Sequence, residues 1–190
     1  MNIERVSQKY AAQTVTLLED LHVSLLGISS RHLLTCVVTD AVRAAIDCRL
    51  AADQGEVQGV VLAAPASYWL SLPARHWGIA VASVRARFAS HPASLPAVVP
   101  SETLALMQAG VPPRTWRDPG DAWRIIFVGT AARARGKGIA AQLYQSMMTD
   151  RSLVARIALD NTASIRLHHS LGWRLYRDDR VALAVHVRST

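Results

Sequence analysis

Apolar positions along this chain recur at helical spacing, then at strand spacing, and then switch between the two. Val6, Tyr10, Thr14, Leu17, Leu18 and Leu21 share one helical face, which predicts a helix from Ile3 to Leu21. A second helix is predicted behind Ser30, an N-capping residue type, because Leu33, Leu34, Val37, Val38, Ala41, Val42, Ala45 and Ile46 recur three and four apart. The period then shortens. Cys48 to Ala52 and Val57 to Ala64 are apolar runs separated by Asp53-Gln54-Gly55-Glu56, and together they predict a hairpin that Pro65 ends. Residues 66–89 predict a helix interrupted at Pro73, residues 90–100 a proline-rich loop, and residues 102–109 a short helix that Gly110 stops.

The second half is more regular. Trp123 to Thr130 is an apolar run expected to form a central strand, and residues 131–135 connect it to a helix that buries Ala140, Leu143, Tyr144, Met147 and Met148. Strands are predicted around Leu153 to Asp160 and Val181 to Val187, the latter placing Val181, Leu183, Val185 and Val187 on one side. Between them a helix runs from Thr162 to Ser170, ended by Gly172. No repeat or domain boundary interrupts the 190 residues, so residues 1–190 are expected to form one domain, with residues 66–122 as an insertion.

Composition narrows the class. A chain that is 51% hydrophobic and 18% charged is far from the signature of disorder. Cys36 and Cys48 have neither disulfide-framework nor zinc-site spacing and read as small core residues of a reduced compartment. The stretch from Val57 to Ala74 contains Gly59, Pro65, Ser67, Ser71 and Pro73, a poor membrane span, and the N-terminus lacks a secretory layout. A soluble cytoplasmic protein with no membrane partner is the expectation. The net charge of +7 lies wholly in Val111 to Thr190, which holds 13 basic and 6 acidic residues. Charge alone leaves two readings open, an anionic ligand held by the C-terminal half or an arginine-rich solvated surface.

A strand, a loop with closely spaced glycines and a helix together suit an anion. Amides at a helix start have no intrahelical partner, and glycine lets a ligand approach the main chain. Arg133, Arg135 and Lys137 add positive charge beside Gly136 and Gly138. A P-loop is excluded, since Gly138 rather than Ser or Thr follows Lys137 and Ala131 stands five before Gly136. Gly136, Gly138 and Ala141 do satisfy the dinucleotide pattern Gly-x-Gly-x-x-Ala, with Asp160 downstream. Too little chain follows Asp160 to complete a doubly wound sheet.

Arg135-Gly136-Lys137-Gly138-Ile139-Ala140, followed by Ala141-Gln142-Leu143, resembles the Arg/Gln-x-x-Gly-x-Gly/Ala signature of the GNAT superfamily of acyl-CoA-dependent N-acyltransferases. An overlapping register starting at Arg133 also matches but misplaces the following leucine. A second segment, Asn161 to Trp173, is similar to that superfamily's Asn-x-x-Ser/Ala-x-x-Leu-Tyr/His-x-x-x-Gly-Phe/Trp. The resemblance is tight over residues 123–173 and only architectural elsewhere.

The resemblance implies an α/β (α+β) fold with a mixed, mostly antiparallel central sheet flanked by helices and a splayed central strand. It implies that Val128, Gly129 and Thr130 pair with the pantetheine of acetyl-CoA or another acyl-CoA, and that Arg135, Gly136, Lys137, Gly138, Ile139, Ala140 and Ala141 hold the diphosphate through main-chain amides. Asn161 is expected at the cofactor or a site water. It implies direct attack of an amine on the thioester, with no metal. His168, standing where many relatives have Tyr, is the candidate general acid, with simple packing as its alternative. His169 is expected at the surface. No carboxylate lies on Trp123 to Thr130, so the base is open; Glu102, Asp118 and Asp121 flank the region. Residues 66–122, with Tyr68, Trp69, His76, Trp77, Phe88 and Trp116, are expected to shape the acceptor site or fill a core. The leading expectation is an N-acetyltransferase for a small-molecule amine, monomeric or homodimeric, with no nucleic-acid partner. Transfer of a longer acyl chain and a non-catalytic acyl-CoA-binding module are the alternatives.

Overall fold

The computed structural model describes residues 1–21, 31–65, 67–68, 122–177 and 181–187. A seven-stranded sheet runs in the order β1-β2-β3-β4-β5-β7-β6, made of β1 (Asn2–Arg5), β2 (Asp47–Asp53), β3 (Glu56–Ala64), β4 (Trp123–Thr130), β5 (Leu153–Ala158), β6 (Arg174–Arg177) and β7 (Val181–His186). Every neighbouring pair is antiparallel except β4 with β5. Helices α1 (Gln8–Asp20) and α2 (Arg31–Val42) join the described strands with α3 (Ile139–Met148) and α4 (Thr162–Ser170). The mixed, mostly antiparallel sheet with flanking helices is the fold expected from the sequence.

Two cores lie on opposite faces of this sheet. Tyr10, Val15, Leu17 and Leu18 of α1 and Leu33, Leu34, Val37 and Val38 of α2 pack on Cys48, Leu50, Val60 and Leu62. On the other face Ile139, Leu143, Tyr144 and Met147 of α3 cover Ala51, Val61, Ala63, Leu153 and Ala155. β3 is therefore sandwiched, which explains why its apolar run is continuous rather than alternating. β7 behaves likewise, with Ala182 to Val185 all buried and Val187 exposed beyond the strand end. One-sided alternation from Val181 to Val187 is thus corrected: Ala182 and Ala184 join the core under α3, while Leu183 and Val185 pack with Ala122 and Val154, so both faces of β7 are covered.

Three further expectations change. The first predicted helix splits, because Asn2–Arg5 pairs antiparallel with Leu50 and its neighbours and Ser7 is extended at φ −128°, ψ 169°. The second predicted helix ends at Val42; Ala44 turns to φ 60° and leads the chain into β2. β6, Arg-Leu-Tyr-Arg, lacks an apolar run and is found only through its pairing with β7. The predicted helices at 66–89 and 102–109 and the loop at 90–100 lie outside the described residues, apart from Ser67 and Tyr68, which are helical. Among the described residues no helix is long and apolar enough to cross a membrane.

One end of β4 and β5 is locked by charge. Buried Asp47 faces Arg5 at 3.9 Å, Arg49 at 3.1 Å and Arg151 at 3.3 Å. Arg49 also reaches Asp150 and the carbonyl of Ser146, while the Arg151 guanidinium lies 3.8 Å over the Trp123 ring. The Trp123 amide donates to Ser152 at 3.0 Å. Removing the carboxylate takes from the mostly buried Arg49 and Arg151 the anion they share and leaves Arg49 only Asp150, a loss larger than that of an exposed pair. Asp47→Asn is expected to lower the unfolding free energy by about 2 kcal/mol in urea titration; an unchanged midpoint contradicts this account of the lock.

Candidate active site

β4 parts from β5 after three residue pairs, Trp123 with Leu153 to Ile125 with Ala155. The register with β3 jumps at the same place: Leu62 faces Phe127 but Ala63 faces Ile125, so Ile126 is an extra, bulged residue. Bulges bend and twist a strand. From there β5 continues against β7 alone, and the remainder of β4 keeps only β3 among the described residues. All eight residues of β4 are half-buried, although it is the middle strand and its neighbour β3 is almost wholly buried. Among the described residues, then, the edge of β4 toward β5 is open beyond Ile125, a groove between the parted strands.

The antiparallel ladder decides which main-chain groups line that groove. The Ala131 amide donates to the Gln58 carbonyl at 2.8 Å, which fixes the phase. Residues alternate in facing the partner strand. Gly129 thus exchanges its bonds with Val60, and the amides and carbonyls of Val128 and Thr130 turn toward the β5 side. Of the three expected pantetheine contacts, Val128 and Thr130 present their backbone to the groove, whereas Gly129 is spent on β3. Gly129 has a packing role instead: a Cβ there would stand 2.8 Å from Leu21 Cδ1 and 2.7 Å from the Phe127 ring.

At the end of β4 a 3-10 turn, Ala132–Ala134, leads into Arg135 and the glycines. Gly136 and Gly138 have φ of 76° and 72°, a region costly for residues with a Cβ. A Cβ on either would meet nothing within 4 Å, so the space above them is open. Gly138 caps α3 without a side-chain bond, and the first helical bond is Gln142 N–H to the Gly138 carbonyl. The amides from Gly136 to Ala141 have no partner among the described residues. Arg135 and Lys137 are exposed and form no ion pair among the described residues, whereas Arg133 is held by Glu56 at 2.6 Å. The positive charge facing the open loop is therefore that of Arg135 and Lys137.

Asn161 is exposed and caps α4, its Oδ1 accepting from the Ser164 amide at 3.0 Å. That leaves its Nδ2 for any other contact. His168 is fully buried, with Tyr144 and Trp173 edge-on and each 4.7 Å from its ring centre. Its Nδ1 lies 2.8 Å from the Ser164 carbonyl, which can only accept, so Nδ1 carries the proton in the neutral ring. Nε2 then bears a lone pair, and it is buried with no partner among the described residues. Burial lowers the His168 pKa, against a smaller raising effect of the Ser164 carbonyl. A proton donor at Nε2 must therefore be loaded against that burial. His169 is exposed, as expected.

Sequence reasoning passed over the start of β3. Glu56 holds Arg133, the Gln58 carbonyl holds the Ala131 amide, and Gly59 lies beneath Ile139 and Leu143. A glycine within a strand pattern was the available signal, since it often marks a close approach of other chain segments. Glu102, Asp118 and Asp121 lie outside the described residues, as do the predicted pocket aromatics other than Tyr68.

Residues 48–173 match the family described as the Acetyltransferase (GNAT) family. Among curated proteins none matches. Solved structures with the same fold include the N-acetyltransferase from Staphylococcus aureus Mu50, with 16% identity, TM-score 0.56 and coverage of 97% of this chain and 95% of that one. The ribosomal-protein-alanine N-acetyltransferase from Brucella melitensis has 16% identity, TM-score 0.57 and coverage of 97% of both chains. Arabidopsis thaliana NAA60 in complex with acetyl-CoA has 12% identity and TM-score 0.57, covering 98% of this chain and 97% of that one.

Neutral His168 is favoured by the fold, so acid works against it. The folded-state pKa lies below the ordinary value of about 6.5, and the unfolded chain then binds more protons in the window between the two. Stability is expected to be complete above pH ~6.5 and to fall as pH drops from there toward the folded pKa. In urea titrations across this range His168→Phe should show a shallower loss than the parent; equal slopes contradict the assignment.

Proposed function

The chain belongs to the Acetyltransferase (GNAT) family, and from that premise we propose that it moves an acetyl group from acetyl-CoA to the primary amine of a small molecule. The observation that carries this reading is the half-open central strand ending at uncapped helix amides. A diphosphate fits there because several charge-assisted hydrogen bonds, each worth roughly 1.5–3 kcal/mol, converge without a side chain in the way. Amides of residues 136–141 would take that diphosphate, with Arg135 and Lys137 adding positive charge. The backbone of Val128 and Thr130 would pair with the pantetheine as a neighbouring strand does.

When bound, acetyl-CoA supplies an acyl carbon activated as a thioester; amine attack forms the C–N bond, breaks the C–S bond and leaves the thiol and a proton from the ammonium. The protein's part is to hold and orient, and to move protons. His168 is assigned the proton delivered to the departing sulfur. It rests with Nε2 unprotonated, so it takes up a proton before returning one. Asn161 fixes the start of α4 through its cap, which leaves its Nδ2 to bond the cofactor or a water. Residues 66–122 are proposed to contribute the acceptor side.

Offered acetyl-CoA and a panel of amino sugars, polyamines and amino-acid derivatives, the protein should release free thiol with at least one acceptor. Gly138→Val should abolish CoA binding in calorimetry, because a β-branched residue is strained at φ 72°. His168→Phe should depress turnover more than CoA affinity. CoA binding without turnover on any amine favours a binding module, turnover only with longer acyl-CoAs favours the other transferase, and unchanged affinity in Gly138→Val removes the loop assignment.

A further inference from the structure

We propose that the start of β3, Glu56 to Gly59, is the platform that positions the diphosphate loop, with Gly59 as its determining residue; this rests on the function proposed above. Three contacts tie the loop to this segment. Glu56 accepts from the Arg133 guanidinium at 2.6 Å, and Gln58 Oε1 lies 3.4 Å from Arg133 Nε. The Gln58 carbonyl accepts from the Ala131 amide at 2.8 Å. Gln58 is itself a bulge on the β2 side, since Ala51 faces Gly59 and Ala52 faces Val57. The strand is thus offset where the loop leaves β4.

Gly59 sets the distance. A Cβ there would stand 2.8 Å from Ile139 Cγ2, 3.2 Å from Leu143 Cδ1 and 3.2 Å from the Gly129 carbonyl oxygen. Ile139 is the first residue of α3, directly after Gly138, and Leu143 lies one turn on. The missing side chain therefore seats the first turn of α3 on the sheet. A branched methyl and a strand carbonyl have little room to withdraw, so even one added carbon tilts or lifts that turn. The amides most affected are those proposed to hold the diphosphate. Side chains at Gly136 and Gly138 would meet open space, whereas one at Gly59 acts from beneath the helix.

The test measures CoA binding by calorimetry on the full chain, with thermal midpoints, for the parent, Gly59→Ala, Ile139→Ala and the double variant. Gly59→Ala should weaken CoA binding about tenfold, equivalent to about 1.4 kcal/mol. The double variant, which removes the methyl that the new Cβ strikes, should bind more tightly than Gly59→Ala and close to Ile139→Ala. If Gly59→Ala does not fold, the double variant compared with Ile139→Ala carries the test, and a further tenfold loss there overturns the seating. A lowered midpoint with unchanged CoA affinity overturns the platform and leaves the proposed function intact. A parent that does not bind CoA overturns both.

Discussion

A central strand can stay inside a sheet only if both of its hydrogen-bonding edges find partners, and β4 gives up one of them halfway along. An unsatisfied buried backbone group costs roughly 1–3 kcal/mol, so the freed edge is tolerable only where it meets solvent or a ligand. The bulge at Ile126 and the three-pair limit on β4 with β5 mark that one departure. The opposite end prevents the split from spreading. Asp47 with its three arginines, and Arg151 over Trp123, hold the strands' first residues together.

Polarity and charge then sort themselves along the groove. Among the described residues the amides of 136–141 have no partner and Arg135 and Lys137 no ion pair, whereas Arg133 is paired with Glu56. Behind α3, between Tyr144 and Trp173, the protein holds a buried imidazole whose burial favours the neutral form. His168 Nε2 is buried with no partner among the described residues, so its lone pair is held inside the protein.

The elements marked by an apolar run or by local chemistry could be read from the sequence, including the β2–β3 hairpin, β5 and β7, and the short polar strands held only by pairing could not. α3, α4 and β4 are marked by periodicity and by Gly136, Gly138 and Asn161, whose conformational or capping preferences act within a few residues. β1 and β6 are short and polar and are held by pairing, β1 with distant β2 and β6 with the following β7, so no period marks them. The site divides the same way. The amides of 136–141 follow from two glycines before a helix, but the choice of Val128 and Thr130 over Gly129 depends on the ladder phase set by Gln58, 73 residues before Ala131. Gly59 is visible as an oddity in an apolar run, and only the packing of Ile139 above it gives it a meaning.

Amide exchange followed by NMR, with and without CoA, tests the central claim most directly. Protection should appear at Val128, Thr130 and the first turn of α3, while Gly129, already bonded to Val60, stays as it was. CoA binding that leaves Val128 and Thr130 exchanging at their original rates would contradict the parted strand as the seat of the cofactor.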